Sequence, residues 1–456
     1  MKTDLKPTEA RIAGHAPLGR RRYYPPGPPP PTDDVHIKEI KQGGMTEPWR
    51  AEITVFKKSN GPLTKRIALR DGKIVNDSSS CRMAKGSARR VSIDNVQTLA
   101  DLINSFGSSE AYALGRLKDG VADPVQVVTR AKLNGAADPS IIARTKEFVV
   151  FNEGEPGLCL LDTDIKGMPK VMARRIEERG SLFGALCEIV PALATVARVQ
   201  RASTSSGLRN KETGETIPGS GGQHIVVVVQ DAADIPRFLS DLHDRLWLAD
   251  FGWGMVSAAG SFLERSIIDK SVGSPERLIF EGAPIIEPPL EQSGRDAVAY
   301  DGAILDTQLC PPLIDSEKKK LRKLGAAEKE RLRPEMEKAR AAWSAQHIER
   351  LTGDGMSEAA ARALVDGWLD WKELSGAFPL PFDDQNIAGT MVEDVLAAPD
   401  DYIGKTLSDP FEGPDYGRGK AIIYRRADGS LFVNSFAHGG IKPVKQPVSF
   451  CRVASS

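Results

Sequence analysis

The spacing of hydrophobic positions changes several times along the chain, and each change marks an element. Two short runs of strand composition, Glu52-Ile53-Thr54-Val55-Phe56 and Arg66-Ile67-Ala68-Leu69, lie either side of Asn60-Gly61-Pro62 and are followed by Asp71-Gly72. Turn residues between strand-like runs predict a hairpin. Val96, Leu99, Leu102 and Ile103 then fall on one stripe, which predicts a helix over about 95–106.

The densest pattern runs from 148 to 282. A strand at Phe148-Val149-Val150-Phe151 precedes the apolar run Leu158-Cys159-Leu160-Leu161, which ends in Asp162-Thr163-Asp164. Helical spacing over about 169–193, broken near Gly180, leads to a strand at Val196-Ala197-Arg198-Val199-Gln200 and a polar loop from Ser203 to Gly222. The run from His224 through Val229 is too continuous for a half-exposed strand and predicts a central one. Phe238, Leu239, Leu242 and Leu246 predict a helix over about 235–248, and a further strand is expected near 254–258. The resulting order, β-α-β-β-α-β, is the split βαβ arrangement shared by ferredoxin-like and RNA-recognition-motif folds. The expected fold class is therefore α+β, with an N-terminal α/β part ahead of this sheet.

Beyond Pro311 the chain becomes charged and helical. Leu332, Met336, Ala339 and Trp343 alternate four and three apart, the stripe of a packed helix over about 317–351, and Ser357 with Glu358 caps a second helix ending near Leu369. Ala421-Ile422-Ile423-Tyr424 and Leu431-Phe432-Val433 form a strand pair around Asp428-Gly429. The expected divisions are a basic, proline-rich tail over 1–35, an N-terminal part over 36–145, a core over 146–310, a helical region over 311–375 and a small accessory region over 376–456.

Composition narrows the function. With 456 residues, 41% of them hydrophobic and 27% charged, the chain can bury ordinary cores and is neither fibrous nor disordered throughout. Sixty-one basic residues balance sixty-one acidic ones, so any site for a polyanion must be local. Residues 1–120 carry 21 Lys and Arg against 13 Asp and Glu, which makes Arg82, Lys85, Arg89 and Arg90 candidates for binding DNA. Five scattered cysteines with no CxxC pair indicate neither a zinc ribbon nor a disulfide framework, and a reduced, cytoplasmic setting is expected. The absence of an apolar leader or a run of about 18 apolar residues argues against secretion and membrane spanning.

The candidate chemistry begins with Asp162 and Asp164. Side chains alternate along a strand, so both carboxylates share a face, with Cα atoms about 6.5 to 7 Å apart. Two ionised carboxylates that close repel one another unless a cation or proton intervenes, and Mg²⁺ suits such a pair; exposed strand-end acids are the alternative. Asp269, after Ile267-Ile268, adds a third acid, and three carboxylates suit two divalent cations used for attack at phosphorus. His224 follows the glycine-rich stretch 219–222, where backbone N–H groups admit phosphate, although a strand-start histidine is also a common structural residue. Ser203, Ser206, Arg209 and Ser220 lie in the preceding loop as possible phosphate contacts, and Arg277 follows Asp269 by eight residues.

In order, Leu161-Asp162-Thr163-Asp164, Gly222-Gln223-His224 before a valine run, and Ile268-Asp269 resemble the three motifs hDhD/E, sxH and hD of the archaeo-eukaryotic primase superfamily. The flanks Ser203-Thr204-Ser205-Ser206-Gly207 and Ser274-Pro275-Glu276-Arg277-Leu278 are similar to its plasmid, phage and mobile-element branch, over about 145–285. The resemblance implies a DNA primase or primase-polymerase that acts on single-stranded DNA with nucleoside triphosphates. Asp162, Asp164 and Asp269 would hold two Mg²⁺ or Mn²⁺ ions, and His224 would contact the incoming phosphates. Gly222 departs from the usual small hydroxyl residue, with Ser220 or Ser206 as substitutes. No zinc-knuckle spacing and no GxxxxGK[ST] loop is present, so a helicase would be a separate partner. The C-terminal helices are left to clamp template, regulate initiation or recruit that helicase. Two alternatives stay open: a non-catalytic replication-initiation or single-strand-binding protein, and a metal-dependent nuclease.

Overall fold

The computed structural model describes residues 48–445, apart from 71, 134–137, 164, 166, 218–221, 427 and 437–440. The apolar run 225–229 lies inside the strand Gln223–Val229, second in a four-stranded sheet of order Gly157–Thr163, Gln223–Val229, Arg198–Ala202, Val298–Tyr300, in which every neighbouring pair is antiparallel. Its five apolar residues are buried, as a strand covered on both faces requires. The helix Ile235–Leu248 buries Phe238, Leu239, Leu242 and Leu246, the stripe expected from their spacing.

Between the first and third strands of that sheet the helical pattern divides into Lys170–Glu177 and Leu182–Ile189. Gly180 separates them at φ +75°, a conformation that side-chain-bearing residues rarely adopt, and Ser181 caps the second helix by accepting from the Gly184 N–H. The strand expected near 254–258 is Gly252–Val256, but it does not join the central sheet. It pairs with Phe262–Ser266 in a separate hairpin, and the Gly254 N–H donates to Glu328 of the long C-terminal helix at 2.9 Å. The edge of the central sheet beside Gly157–Thr163 receives instead an isolated bridge between Thr163 and Ile268.

The N-terminal strands exist where the periodicity placed them, but their partners differ from the expected hairpin. Ala51–Lys58 pairs with Lys85–Ile93 and Glu110–Ala113 in a five-stranded sheet, whereas Arg66–Arg70 pairs with Lys73–Asp77 and Ile285–Ile286. The stretch 148–151 contributes only Val149–Val150, paired with Arg116–Leu117 outside the central sheet. The helix Val96–Ser105 is capped by Asn95, whose side chain accepts from the Thr98 N–H at 2.7 Å, and it buries Val96, Leu99, Ala100 and Ile103. These side chains belong to the same apolar cluster as Leu158–Leu161 and Ile225–Val229, so the N-terminal sheet and the central sheet share one core.

A second core lies toward the C-terminus. The helices Asp315–Gly353 and Glu358–Trp371, the latter capped by Ser357, pack with a five-stranded sheet of order Leu374–Ser375, Ile441–Lys445, Leu431–Ser435, Ala421–Arg425, Thr406–Leu407. The described residues form one compact unit of mixed α+β structure with several small sheets and eight α-helices among them. None of these helices is long and apolar enough to cross a membrane. Cys81, Cys159, Cys187 and Cys310 are free thiols.

His347 sits in the second core with its ring centroid 3.9 Å from that of Trp343 and 6.0 Å from that of Phe378. Burial, aided by Arg350, pushes its imidazole down to about 4. The unfolded chain therefore takes up a proton here before the folded one does. Stability from this site is complete above about pH 6.5 and is lost as pH falls toward the folded value. Urea unfolding between pH 7 and pH 4 should show a decline that His347→Leu makes shallower; an unchanged slope in that variant would refute the assignment.

Candidate active site

The site grows from strand register. Asp162 ends the apolar strand Gly157–Thr163 and lies directly opposite His224, which in turn lies opposite Arg201 on the third strand. Directly paired residues on adjacent strands project to the same face, so Asp162, His224 and Arg201 form a row across the sheet. The His224 Nε2 is 3.6 Å from Asp162 Oδ1, and the two side chains are 13% and 30% exposed. The apolar residues behind them fill the core, which leaves the polar row at the strand ends, where it reaches solvent.

Asp269 approaches the same strand end through the backbone. Its N–H donates to the Asp162 carbonyl at 2.9 Å, next to the bridge between Thr163 and Ile268. Its side chain, 32% exposed, accepts from the Ser271 N–H and lies 3.8 Å from Arg277 Nη2. Arg277 also donates to the Ser271 carbonyl and hydroxyl, both at 2.9 Å. Thus residues 162, 224 and 269, separated by 62 and 45 positions in the sequence, meet at one end of the sheet. Asp164 and Ser220 lie outside the described residues.

Beneath the row is a group that no motif announced. Glu281 is 1% exposed, and its Oε1 is 2.5 Å from His224 Nδ1. Its Oε2 lies 3.3 Å from Arg201 Nη1 and 3.2 Å from Arg295 Nη2. Burial by itself would lower the His224 pKa, but the carboxylates of Glu281 and Asp162 outweigh it and hold the imidazole above its ordinary range, with Lys65 opposing. Burial would likewise raise the Glu281 carboxyl, yet His224, Arg201 and Arg295 together hold it below the usual range. The imidazole is thus anchored on its Nδ1 side, and its Nε2 side faces Asp162. The one hint of Glu281 in the sequence is an acid placed directly after Ile279-Phe280, a polar residue adjoining an apolar pair.

The loop before Gln223–Val229 is tightly folded. Ser203, Thr204 and Ser205 are buried, Ser203 Oγ lies 3.0 Å from Ser206 Oγ, and the Ser203 N–H donates to the Gly222 carbonyl. Gly207 holds φ +69°, and a Cβ there would lie 2.0 Å from the Ser293 carbonyl oxygen, so only glycine fits. Arg209 is more than half exposed and its Nε donates to Glu291 at 2.7 Å. Of the four candidate DNA-binding residues, Lys85 and Arg89 are exposed on one face of their strand. Arg90 instead donates to the carbonyls of Leu117, Lys118 and Val121 and lies 3.4 Å from Glu52. Arg82 is partly buried, within electrostatic reach of Tyr424 and Asp383.

Carboxylate oxygens that are part exposed and converge on one strand end are the hard donors that Mg²⁺ and Mn²⁺ select. Asp162 and Asp269 meet that description, although no group of three His, Cys, Asp or Glu suited to a metal occurs among the described residues. No family model, curated protein or solved structure matches the chain.

Proposed function

We propose that the chain is a template-directed nucleotidyltransferase, a primase or primase-polymerase that makes or extends primers on single-stranded DNA. The observation that carries this reading is the meeting of Asp162, His224 and Asp269, one residue from each of the three sequence motifs, at one solvent-reaching strand end. The strand order also supports it. Numbered by chain position, Gly157–Thr163, Arg198–Ala202 and Gln223–Val229 are arranged first, third, second, as in a split βαβ sheet of the RNA-recognition-motif kind.

In this reading the 3′-hydroxyl of one nucleotide gives up its proton to solvent as its oxygen bonds to the α-phosphorus of the next, the bond from that phosphorus to the bridging oxygen breaks, and pyrophosphate leaves. Asp162 and Asp269, with Asp164, would hold the divalent ions, which when bound supply positive charge to the reacting oxygens. His224 donates from Nε2 to a phosphate oxygen, and Glu281 favours its charged form and turns it for that contact. Arg277, beside Asp269, adds a planar guanidinium suited to phosphate.

The test is de novo synthesis on single-stranded DNA with ribonucleotides or deoxynucleotides, each with Mg²⁺ or Mn²⁺, resolved by product length. Template-dependent products that vanish on chelation are expected. Cleavage of labelled DNA in the absence of nucleotides, with no synthesis under any of the four conditions, would assign the site to a nuclease instead.

A further inference from the structure

The C-terminal sheet carries a feature that its core does not require. Register sets Tyr424 directly opposite Phe432, with ring centroids 5.6 Å apart and planes inclined at 36°. Side chains alternate along these strands. Ala421, Ile423, Leu431 and Val433 turn inward to the second core, whereas Tyr424, 40% exposed, and Phe432 turn to the other face. The Arg426 guanidinium lies 5.0 Å from the Phe432 centroid. Two adjoining rings capped by a cation on an outer face offer flat apolar surface beside positive charge.

Arginines from distant parts of the chain lie between the neighbourhood of Tyr424 and Asp269. Arg82 and Arg144 each lie within electrostatic reach of the Tyr424 hydroxyl. Arg144 donates to the Glu276 carbonyl at 2.7 Å, beside Arg277, which reaches Asp269. Four acids adjoin this line: Asp428 near Arg426, Asp383, Glu276, and Asp269 at its end beside Arg277. The Glu276 carboxylate accepts from the Ser274 hydroxyl, and the buried Asp383 accepts from the Gly419 N–H with Arg418 3.9 Å away. Against these stand five arginines, Arg82, Arg144, Arg277, Arg418 and Arg426, so the path carries one net positive charge.

We propose that this face is a docking track for single-stranded nucleic acid, with bases stacked on Tyr424 and Phe432 and phosphates running along Arg426, Arg82, Arg144 and Arg277. Stacking on a ring requires an exposed base face, which a duplex interior withholds and a single strand offers. Phosphate charge matches the arginines, and neither half of the track depends on base identity. That the track delivers the strand to Asp162 and Asp269 rests on the nucleotidyltransferase reading; the binding itself does not.

The experiment is fluorescence anisotropy of the full chain with a labelled oligodeoxythymidylate, without nucleotides or divalent metal, so that affinity is read apart from turnover. Tyr424→Ala should weaken binding roughly 10-fold, while Tyr424→Phe, which keeps the ring, stays within about two-fold. Phe432→Leu, which keeps an apolar side chain but no ring, should add a further loss. Arg82→Gln should flatten the dependence of log affinity on log salt by about 0.7. Wild-type affinity in the Tyr424→Ala, Phe432→Leu double variant overturns the track, as does an equal loss for a duplex of the same length. Undiminished binding there would leave the synthesis reading untouched, and failure of the wild type to synthesise would leave the track standing.

Discussion

Asp162→Ala protein should make no primer: template-dependent product should fall by roughly 10³-fold or more with either Mg²⁺ or Mn²⁺. The carboxylate ends an apolar strand, where the backbone is held on both sides by the pairing of Gly157–Thr163 with Gln223–Val229 and by the Asp269 N–H. Truncating it leaves those backbone bonds in place. The ionic contact with His224 is lost, but so is repulsion between neighbouring acids, and stability should change by only about 1 kcal/mol. Product length on denaturing gels, with thermal unfolding of the same preparations, separates chemistry from folding. Asp269→Ala should behave alike. Synthesis retained by folded Asp162→Ala protein would remove the nucleotidyltransferase reading.

The largest effect on stability is expected from Glu281→Ala, at about 3 to 5 kcal/mol measured by urea unfolding. The reason is the number of cations left behind. Glu281 is the shared counter-ion of His224, Arg201 and Arg295, and both Glu281 and Arg295 are almost fully buried. Glu281→Gln keeps the shape and one acceptor oxygen but not the charge, so it should fold with a smaller loss. It should raise the nucleotide KM more than it lowers kcat, because His224 would lose both its orientation and its charge. A variant as stable as wild type would show that the cluster contributes nothing to folding.

Linkage sets the pH window of this cluster. The Glu281 pKa lies below its unfolded value, so its contribution is complete above about pH 4.3 and is lost as pH falls through the folded value. The His224 pKa lies above its unfolded value, so its contribution is complete below about pH 6.5 and is lost as pH rises through the folded value. The two are at full strength together between those limits. His347 runs against His224 and with Glu281, since its neutral ring favours the folded state only as the solution leaves the acid range.

Local pattern located most elements of this protein. The stripe at 96–103, the valine run at 225–229, the heptad-like spacing at 332–343 and the strand pair around Asp428-Gly429 each became the element their period predicts. Periodicity is a property of a few consecutive residues facing one environment, so it can be read without knowing the neighbour. Asp162, His224 and Asp269 were legible for the same reason, because each adjoins an apolar strand-forming stretch.

Tertiary structure alone decided who pairs with whom. Nothing local distinguishes a hairpin between 52–56 and 66–69 from two strands that enter different sheets, because both present the same alternation. The strand Gly252–Val256 left the central sheet because its partner and the long helix, more than 70 residues away at Glu328, hold it elsewhere. Glu281 acquired its role only when three cations arrived from residues 201, 224 and 295, and Tyr424 met Arg82 and Arg144 only across some 280 to 340 residues of chain. A buried charge is tolerated only where opposite charges surround it, and that surrounding is assembled by the fold rather than written in any one segment.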